Sequence, residues 1–168
     1  MATTYTLISS VTVGSGGAAN IEFTSIPATY TDLVVKTTGR SSGSDTSMAL
    51  SFNNNAANKT TRYLYGTGSS AASSSNNDMY ITSALVPSTS TASTFGNAEL
   101  YIPNYAGSNY KSSSVDGVSE NNATASNVAI TANLWSDAAA ITSIKLTPAG
   151  GGNFVQYSTA YLYGISNA

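Results

Sequence analysis

Residues 140–168 read AITSIKLTPAGGGNFVQYSTAYLYGISNA, and this closing stretch decides the fold class. Ile144 and Leu146 alternate with polar residues before a glycine triplet, and Ala160 and Leu162 alternate with tyrosines after it. A period of two residues is typical of a β-strand that turns one face toward a core. We therefore predict two strands joined by a glycine-rich turn, with the last strand paired deep within a sheet so that it ties down the C-terminus.

The same alternation recurs along the whole chain, whereas the helix-favouring residues Glu, Lys, Arg and Gln are scarce. Turn-forming clusters of Gly, Asn, Asp, Ser and Pro separate the apolar runs. The pattern predicts an all-β fold: an antiparallel, jelly-roll-like β-sandwich of about 8–11 strands with little or no helix, in which alternate side chains are buried between two sheets. We expect one domain over residues 1–168 and, at most, a helical turn at 136–140. The alternating rows lie within 5–13, 21–23, 33–37, 48–52, 63–65, 81–85, 98–102 and 128–134, of which the last is the most regular.

Charged residues make up only 8% of the chain, against about 25% in an average soluble domain, and the net charge is −2. Six lysines and arginines are too few for the phosphate contacts of a nucleic-acid-binding protein or the basic cluster of a membrane-surface protein. The chain has no cysteine, so the fold does not depend on disulfides. The first residues, MATTYTLISSVTV, lack the features of a signal peptide, and we expect synthesis in a cytoplasm.

The motifs that would indicate an enzyme are incomplete. Residues 39–43, GRSSG, match the G-x-S-x-G string of a nucleophile elbow, but no helix pattern follows and the chain has no histidine to act as base. Asp116 and Glu120 would lie about 13 Å apart on one strand, beyond the roughly 5–9.5 Å of a glycosidase pair. We predict no enzymatic activity, and interpret 39–43 as a hairpin loop and both acids as solvated.

The chain also lacks the patterns of metal and cofactor sites. It has no His or Cys to ligate zinc, copper or iron, and Asn76, Asn77 and Asp78 form the only local cluster of oxygen ligands for calcium. We interpret that cluster as a turn. The glycine-rich segments 14–17 and 150–152 follow strands but precede no helix N-terminus, so we interpret them as tight turns and not as phosphate loops. We expect no metal and no cofactor.

Residues 66–75, GTGSSAASSS, have the composition of a flexible linker. They lie in mid-chain, and neither flanking half has enough strands to form a sandwich alone. We therefore predict a surface loop that joins two strands.

The chain has eleven tyrosines, which is the one unusual feature of its composition that could serve binding. A tyrosine side chain combines an apolar ring with a polar tip, which suits wet protein interfaces and stacking on sugars. Strands also favour tyrosine for packing reasons alone, so both interpretations stay open. The candidate contacts with a partner or ligand are Tyr63, Tyr65, Tyr105 and Tyr110.

Three stretches of the chain resemble short virion proteins of tailed bacteriophages, notably phages of cyanobacteria and marine bacteria. In those proteins, a strand with the pattern ITSI-L-T leads through a loop of Gly and Asn to a phenylalanine and then to the pattern STA-LYGI. Residues 140–168 of this chain have the same elements in the same order. The opening at 4–35, TYTLISSVTVGSGGAANIEFTSIPATYTDLVV, is similar to the same proteins. So is ELYIPNYAG at 99–107, with SVDGVSENNA at 114–123 behind it. The resemblance covers nearly the whole chain.

The resemblance implies a jelly-roll-like sandwich with a structural role in the virion and no catalytic residues. We expect a capsid decoration (cement) protein, a homotrimer that clamps neighbouring shell subunits, with the major capsid protein and its own copies as partners. The chain lacks the long trimeric shaft of most tail fibres, which favours the capsid. The alternative is the head of a tail fibre or spike that binds a receptor or a host-surface glycan. Either role places the protein in the virion, on the capsid surface or the tail.

Overall fold

The computed structural model describes residues 4–122 and 127–166, and these residues form thirteen β-strands and no helix. The all-β prediction is confirmed: the strands build antiparallel sheets that pack as a sandwich, consistent with a jelly-roll-like fold. The strands are β1 (Tyr5–Thr12), β2 (Ile21–Phe23), β3 (Asp32–Arg40), β4 (Met48–Phe52), β5 (Lys59–Gly66), β6 (Ala71–Asn76), β7 (Tyr80–Ile81), β8 (Leu85–Val86), β9 (Gly96–Ile102), β10 (Lys111–Val118), β11 (Val128–Trp135), β12 (Ile144–Pro148) and β13 (Thr159–Ile165).

Two sheets of unequal size make up the sandwich. The large sheet has nine strands in the order β1-β13-β3-β9-β10-β11-β5-β6, with β8 pairing in parallel to the end of β3. The small sheet has four strands in the order β2-β12-β4-β7. Strand β13 lies between β1 and β3, so the prediction that the last strand is paired inside a sheet is confirmed.

The core lies between the small sheet and the middle of the large sheet, as the alternating rows predict. Leu33, Leu100 and Leu162 of the large sheet and Leu50 and Leu146 of the small sheet are almost fully buried in one hydrophobic cluster. Across the sandwich, the rings of Phe52 on β4 and Trp135 on β11 meet edge to face with centroids 5.8 Å apart. Such aromatic pairs add about 0.5–1.5 kcal/mol to the burial of their area.

Thirteen strands exceed the 8–11 that the sequence predicts, for three reasons. The row at 81–85, predicted to be one strand, is divided between β7 and β8, which are two residues long each. Strand β10 has no apolar row in the sequence, because its buried face carries Lys111, Ser113, Val115 and Gly117. Segment 66–75, predicted to be a loop, contains most of β6, which pairs with β5 through a turn where the Thr67 amide donates to the Ser70 carbonyl oxygen. Backbone hydrogen bonds hold this strand, and they do not require large side chains.

Two further local predictions are wrong. Residues 136–140 form no helical turn; the Asp137 carboxylate accepts a hydrogen bond from the Ala139 amide instead, which favours a turn over a helix. Residues 39–43 are not a hairpin loop, because the chain crosses there from β3 in the large sheet to β4 in the small sheet. The crossing is held by Ser41 and Ser42, which pair with the backbone of the segment around Phe154.

A bulge in β1 changes which of its side chains face the core. The pairing with β13 shifts by one residue between Leu7 and Ser9. Tyr5 and Leu7 are consequently exposed, whereas Val13 is buried. The sequence predicts one row from 5 to 13 on a single face, and this is wrong because an extra residue in a strand moves every later side chain to the opposite face.

Candidate functional site

An exposed aliphatic row runs along the outer face of the large sheet, on β11 and β5. Val128, Ile130 and Leu134 of β11 are 54%, 66% and 36% exposed, and Leu64 of β5, directly opposite Ile130, is 62% exposed. The most regular apolar row of the sequence therefore points to solvent, and the prediction that it is buried is wrong. We call these four residues the aliphatic patch.

The apolar row of β11 faces solvent because the side chains on the opposite, inner face are hydrogen-bonded to or packed against other segments of the protein. Asn133 accepts a hydrogen bond from the Tyr80 amide (3.1 Å) and donates one to the Tyr80 carbonyl oxygen (3.0 Å). Thr131 is hydrogen-bonded to Thr82. Trp135 packs on Phe52. A satisfied polar row is as suitable for burial as an apolar one, so hydrophobic periodicity alone selects the wrong face.

The segment 78–83 reaches these groups by lying very close to the large sheet. A Cβ atom on Gly117 of β10 would come within 2.0 Å of the Thr82 carbonyl oxygen. Only glycine permits this approach. Gly117 therefore allows the segment to cover the inner face, which leaves the apolar row of β11 outside.

Two overlapping depressions of about 510 and 700 Å³ flank the aliphatic patch. Both are lined by Leu64, Ser73 and Ile130, and they extend over β6. Every residue of β6, Ala71–Asn76, is exposed, and its short uncharged side chains leave the neighbouring aliphatic groups uncovered. The patch is thus a shallow apolar surface bordered by serine hydroxyls at one edge of the sheet.

The second candidate site lies on the other face of β5. Tyr63 and Tyr65 point inward, but the segment 78–83 leaves them half exposed, and their partners on β6, Ser74 and Ala72, are too small to cover the rings. The two rings lie 5.8 Å apart between centroids at a tilt of 38°. Both tyrosines line a recess of about 160 Å³, and Tyr63 also lines an adjoining recess of about 270 Å³. The two recesses share Tyr63, Ser47 and Thr82.

Asp45 and Tyr80 line the larger of the two recesses. We call the two recesses together the tyrosine trough, which is defined by Tyr63, Tyr65, Tyr80, Asp45 and Ser47. One oxygen of Asp45 accepts a hydrogen bond from the Ser47 amide at 2.9 Å. Burial, followed by the nearby charges of Asp78 and Asp45, raises the pKa of Tyr80 above its usual value, so this phenol remains a neutral hydrogen-bond donor at physiological pH. The trough therefore combines aromatic surfaces with one fixed carboxylate.

Of the four tyrosines that the sequence singles out, the structure brings two together. Tyr63 and Tyr65 form the wall of the trough. Tyr110 is 60% exposed just before β10 and does not line the trough. Tyr105 is fully buried, so its selection as a surface contact is wrong. Its hydroxyl donates to the Pro27 carbonyl oxygen, and the 103–109 turn carries the ring into the core.

The remaining functional residues carry no signal in the sequence. Tyr80 belongs to a two-residue strand without visible periodicity, and Asp45 lies in a serine-rich loop. Leu64 alternates with tyrosines, a pattern that does not show which face is buried. Only the exceptional regularity of the 128–134 row draws attention to the aliphatic patch, and it suggests the wrong face.

The rejected motifs have structural roles. Ser41 of the G-x-S-x-G string is buried, and its hydroxyl accepts a hydrogen bond from the Gly43 amide. Asn76 accepts one from the Asp78 amide, and Asp78 forms an ion pair with Lys59 at 2.6 Å. In the part of the chain that the structure describes, no three acidic side chains are grouped to hold a metal ion, and no helix could cross a membrane.

Comparisons of the chain with protein-family models, with curated proteins and with solved structures find no match. The expected relation to phage virion proteins therefore stays a prediction. The same holds for the predicted partners, the location in the virion and the lack of enzymatic activity.

Proposed function

We propose that this protein is a structural subunit of a phage virion, a capsid decoration protein that attaches to the shell through the aliphatic patch. The observation that carries the proposal is the exposure of Leu64, Val128 and Ile130 on adjacent strands of one sheet face. Contiguous apolar surface on a small soluble protein usually marks an interaction site. The occupant to which we commit is the major capsid protein.

The chemistry of the patch suits attachment by shape and apolar burial. Its four aliphatic side chains are uncharged, and Ser73, Ser75 and Ser114 line the depressions around it. Two charges border it: Arg62 lines one depression, and Asp116 lies opposite Ile130 on β10. Such a surface resembles the apolar centre and polar rim of a protein interface. Because few charges are involved, attachment should persist when salt screens electrostatic interactions. Many copies on one shell make modest single contacts sufficient, and clamping of neighbouring subunits would oppose bursting under DNA pressure.

Copy number in purified virions tests this function directly. A decoration protein occurs in hundreds of copies, close to the number of major capsid proteins, and gel densitometry or quantitative mass spectrometry would measure the ratio. A count of a few tens per particle would contradict the proposal. The mass of the purified protein in solution, measured by light scattering, tests the proposed trimer.

Charge introduced into the patch tests the surface itself. Leu64→Asp and Ile130→Asp place a carboxylate at the centre of the patch, and we expect each to weaken rebinding to undecorated shells by at least about tenfold. Thr38→Asp is the matched control, because Thr38 is exposed on the same face of the large sheet, on β3. Equal rebinding of all three variants would show that another surface makes the attachment.

A second candidate function is the receptor- or carbohydrate-binding head of a tail fibre or spike. The tyrosine trough is the observation that favours it, because Tyr63 joins a recess lined by Tyr65 to one lined by Tyr80 and the Asp45 carboxylate. The purified protein should then bind the host surface and compete with the phage for adsorption. Failure to bind host cells would remove this second function while leaving the first intact.

A further inference from the structure

We infer that the tyrosine trough binds a single uncharged pyranose ring, with Tyr63 and Tyr65 as the stacking surface and Asp45 as the acceptor for sugar hydroxyls. This inference deepens the second candidate function and rests on it. The sequence suggests sugar binding only from its tyrosine content, whereas this inference names the side chains that make the contacts.

The two tyrosines form a preorganised platform. They stand on the same face of β5, which is paired along its length with β11 on one side and β6 on the other. The backbone beneath the rings is therefore fixed, and little conformational entropy is lost when a ligand binds. The 38° tilt between the rings makes a shallow concave surface. A pyranose presents C–H groups on its faces, which pack well against such aromatic surfaces.

The hydroxyl groups of the platform are available to a ligand. Within residues 4–122 and 127–166, the phenol oxygens of Tyr63, Tyr65 and Tyr80 make no hydrogen bond to protein. A tyrosine that is partly removed from water usually finds a partner for its hydroxyl. Tyr63 and Tyr65 line the smaller recess, and Tyr63 and Tyr80 line the larger one, so each recess offers two such groups to a ligand rich in hydroxyls.

Asp45 is held in position to accept hydrogen bonds. Its Oδ1 atom receives the Ser47 amide, and the side chain packs against Gly150, where a Cβ atom would come within 2.6 Å of Asp45 Cβ. The Oδ2 atom lies on the Gly150 side, accepts no hydrogen bond from the described residues, and remains for the ligand. A carboxylate can accept two vicinal sugar hydroxyls, and such charge-assisted hydrogen bonds are stronger than neutral ones.

The charges at the trough select against acidic sugars. Asp78 lies near Tyr80, but its charge is compensated by the almost fully buried Lys59. Asp45 lines the larger recess and forms no ion pair among the described residues. No lysine or arginine lines either recess in that part of the chain. A sialic acid or uronic acid would meet the negative charge of Asp45, so the ligand class is a neutral sugar.

The size of the trough limits the ligand to about one ring. Its two recesses, about 270 and 160 Å³, together lie near the lower end of the roughly 300–1,000 Å³ of typical small-molecule sites. A terminal residue or a side branch of a host polysaccharide fits this space. We expect a dissociation constant on the order of 1 mM for a free monosaccharide, with useful avidity only when many copies act together.

The test uses the purified full chain on an array of neutral and acidic oligosaccharides, followed by NMR titration with the monosaccharide of the strongest hit. We expect hits among neutral glycans only. Tyr63→Ala and Tyr65→Ala should each weaken binding by about tenfold or more, and Tyr63→Phe, which keeps the ring, by no more than about threefold. Asp45→Asn should weaken binding by roughly five- to tenfold. Tyr110→Ala, at an exposed tyrosine outside the trough, is the control and should bind as the wild type does.

The outcomes separate the two proposals. If no glycan binds at about 10 mM, both this inference and the second candidate function fail. If a glycan binds equally well to the wild type and to folded Tyr63→Ala and Asp45→Asn variants, the protein is a sugar-binding head but the trough is not its site. Preference for acidic glycans would overturn the assigned ligand class. Should either alanine variant unfold, Tyr63→Phe and Asp45→Asn still test the site.

Discussion

The Arg40 guanidinium donates a hydrogen bond to the Thr91 carbonyl oxygen, with 2.8 Å between Nη1 and O. The same guanidinium also donates to the carbonyl oxygens of Ser88, Ser90 and Thr94. One side chain at the end of β3 therefore organises the whole 88–94 loop. Arginine suits this role because its planar group presents five donors in a fixed arrangement.

Arg40→Ala should release the loop and destabilise the protein by about 1–3 kcal/mol, since hydrogen bonds to a charged group are lost. Arg40→Lys should restore only part of this, because an ammonium group has three donors and a different geometry. Urea unfolding measures the stability, and limited proteolysis between residues 87 and 94 measures the loop. The control is Arg62→Ala, whose guanidinium donates to Thr61 alone and should change stability by less than about 0.5 kcal/mol.

Asn53 fastens the segment before β12 to the end of β4. Its Nδ2 donates to the Ala140 carbonyl oxygen at 2.8 Å, and its Oδ1 accepts the amides of Thr142 and Ser143. Asn53→Ala should cost about 2–4 kcal/mol in a thermal or denaturant melt. Asn54→Ala is the matched control. Asn54 has the same left-handed φ as Asn53, but its substitution removes only one exposed hydrogen bond. Similar losses for the two variants would assign the effect to backbone strain.

Gly164 in β13 supports the ring of Tyr30. A Cβ atom at this position would lie 2.3–2.5 Å from the ring carbons, so Gly164→Ala must displace Tyr30 or shift the strand. We expect a loss of about 1–3 kcal/mol. In a Tyr30→Ala background the same substitution should be nearly neutral, and a double-mutant cycle measures this coupling. Gly14→Ala, where a Cβ meets nothing within 4 Å, should have little effect.

Tyr105 should make the protein less stable in alkali. Burial raises the pKa of its phenol above the value of about 10 in the unfolded chain. As the pH rises through 10, the unfolded state releases this proton first, so stability falls by at most about 1.4 kcal/mol per pH unit until the folded pKa is reached. Below pH 10 the group contributes no pH dependence.

Tyr105→Phe separates this effect from those of other groups. The variant loses the hydrogen bond to Pro27, which should cost about 1 kcal/mol at pH 7. Its stability should then decline less between pH 10 and 11 than that of the wild type, so the two denaturation curves converge. Parallel curves across this range would contradict the assignment. Comparison of the two proteins cancels the contributions of Lys111, whose lowered pKa acts with the opposite sign, and of Tyr80.

The strands were predictable where one face of each strand is buried and apolar. Rows such as 48–52 and 98–102 bury their alternate residues as the sequence indicates. The direction of the 128–134 row was not predictable, because it depends on partners for Asn133 and Thr131 that lie about 50 residues away in sequence. The bulge after Leu7 and the serine strand β6 depend likewise on backbone pairing, which leaves no trace in side-chain hydrophobicity.

The candidate sites, like the strands, were predictable only in part. Tyrosine content pointed to Tyr63 and Tyr65, and their spacing on one strand placed both rings on the same face. It could not distinguish them from Tyr105, because exposure is decided by which distant segment covers a ring. Asp45 reaches the trough through the crossing between sheets, a connection that a linear pattern of turns does not show.

The large sheet has nine strands and the small sheet four, so the edge of the large sheet near β6 extends beyond the small sheet. Residues at this edge can be substituted without disturbing the core. Among the residues around the trough, those of the 45–47 crossing and of β6 lie outside the hydrophobic core, whereas Tyr80 is flanked by the core residues Met79 and Ile81. Substitutions in the 45–47 crossing and in β6 would alter the surface of the trough at little cost to folding. The architecture thus offers an evolving lineage a scaffold on which specificity can drift quickly while the rest of the molecule is conserved by its own packing.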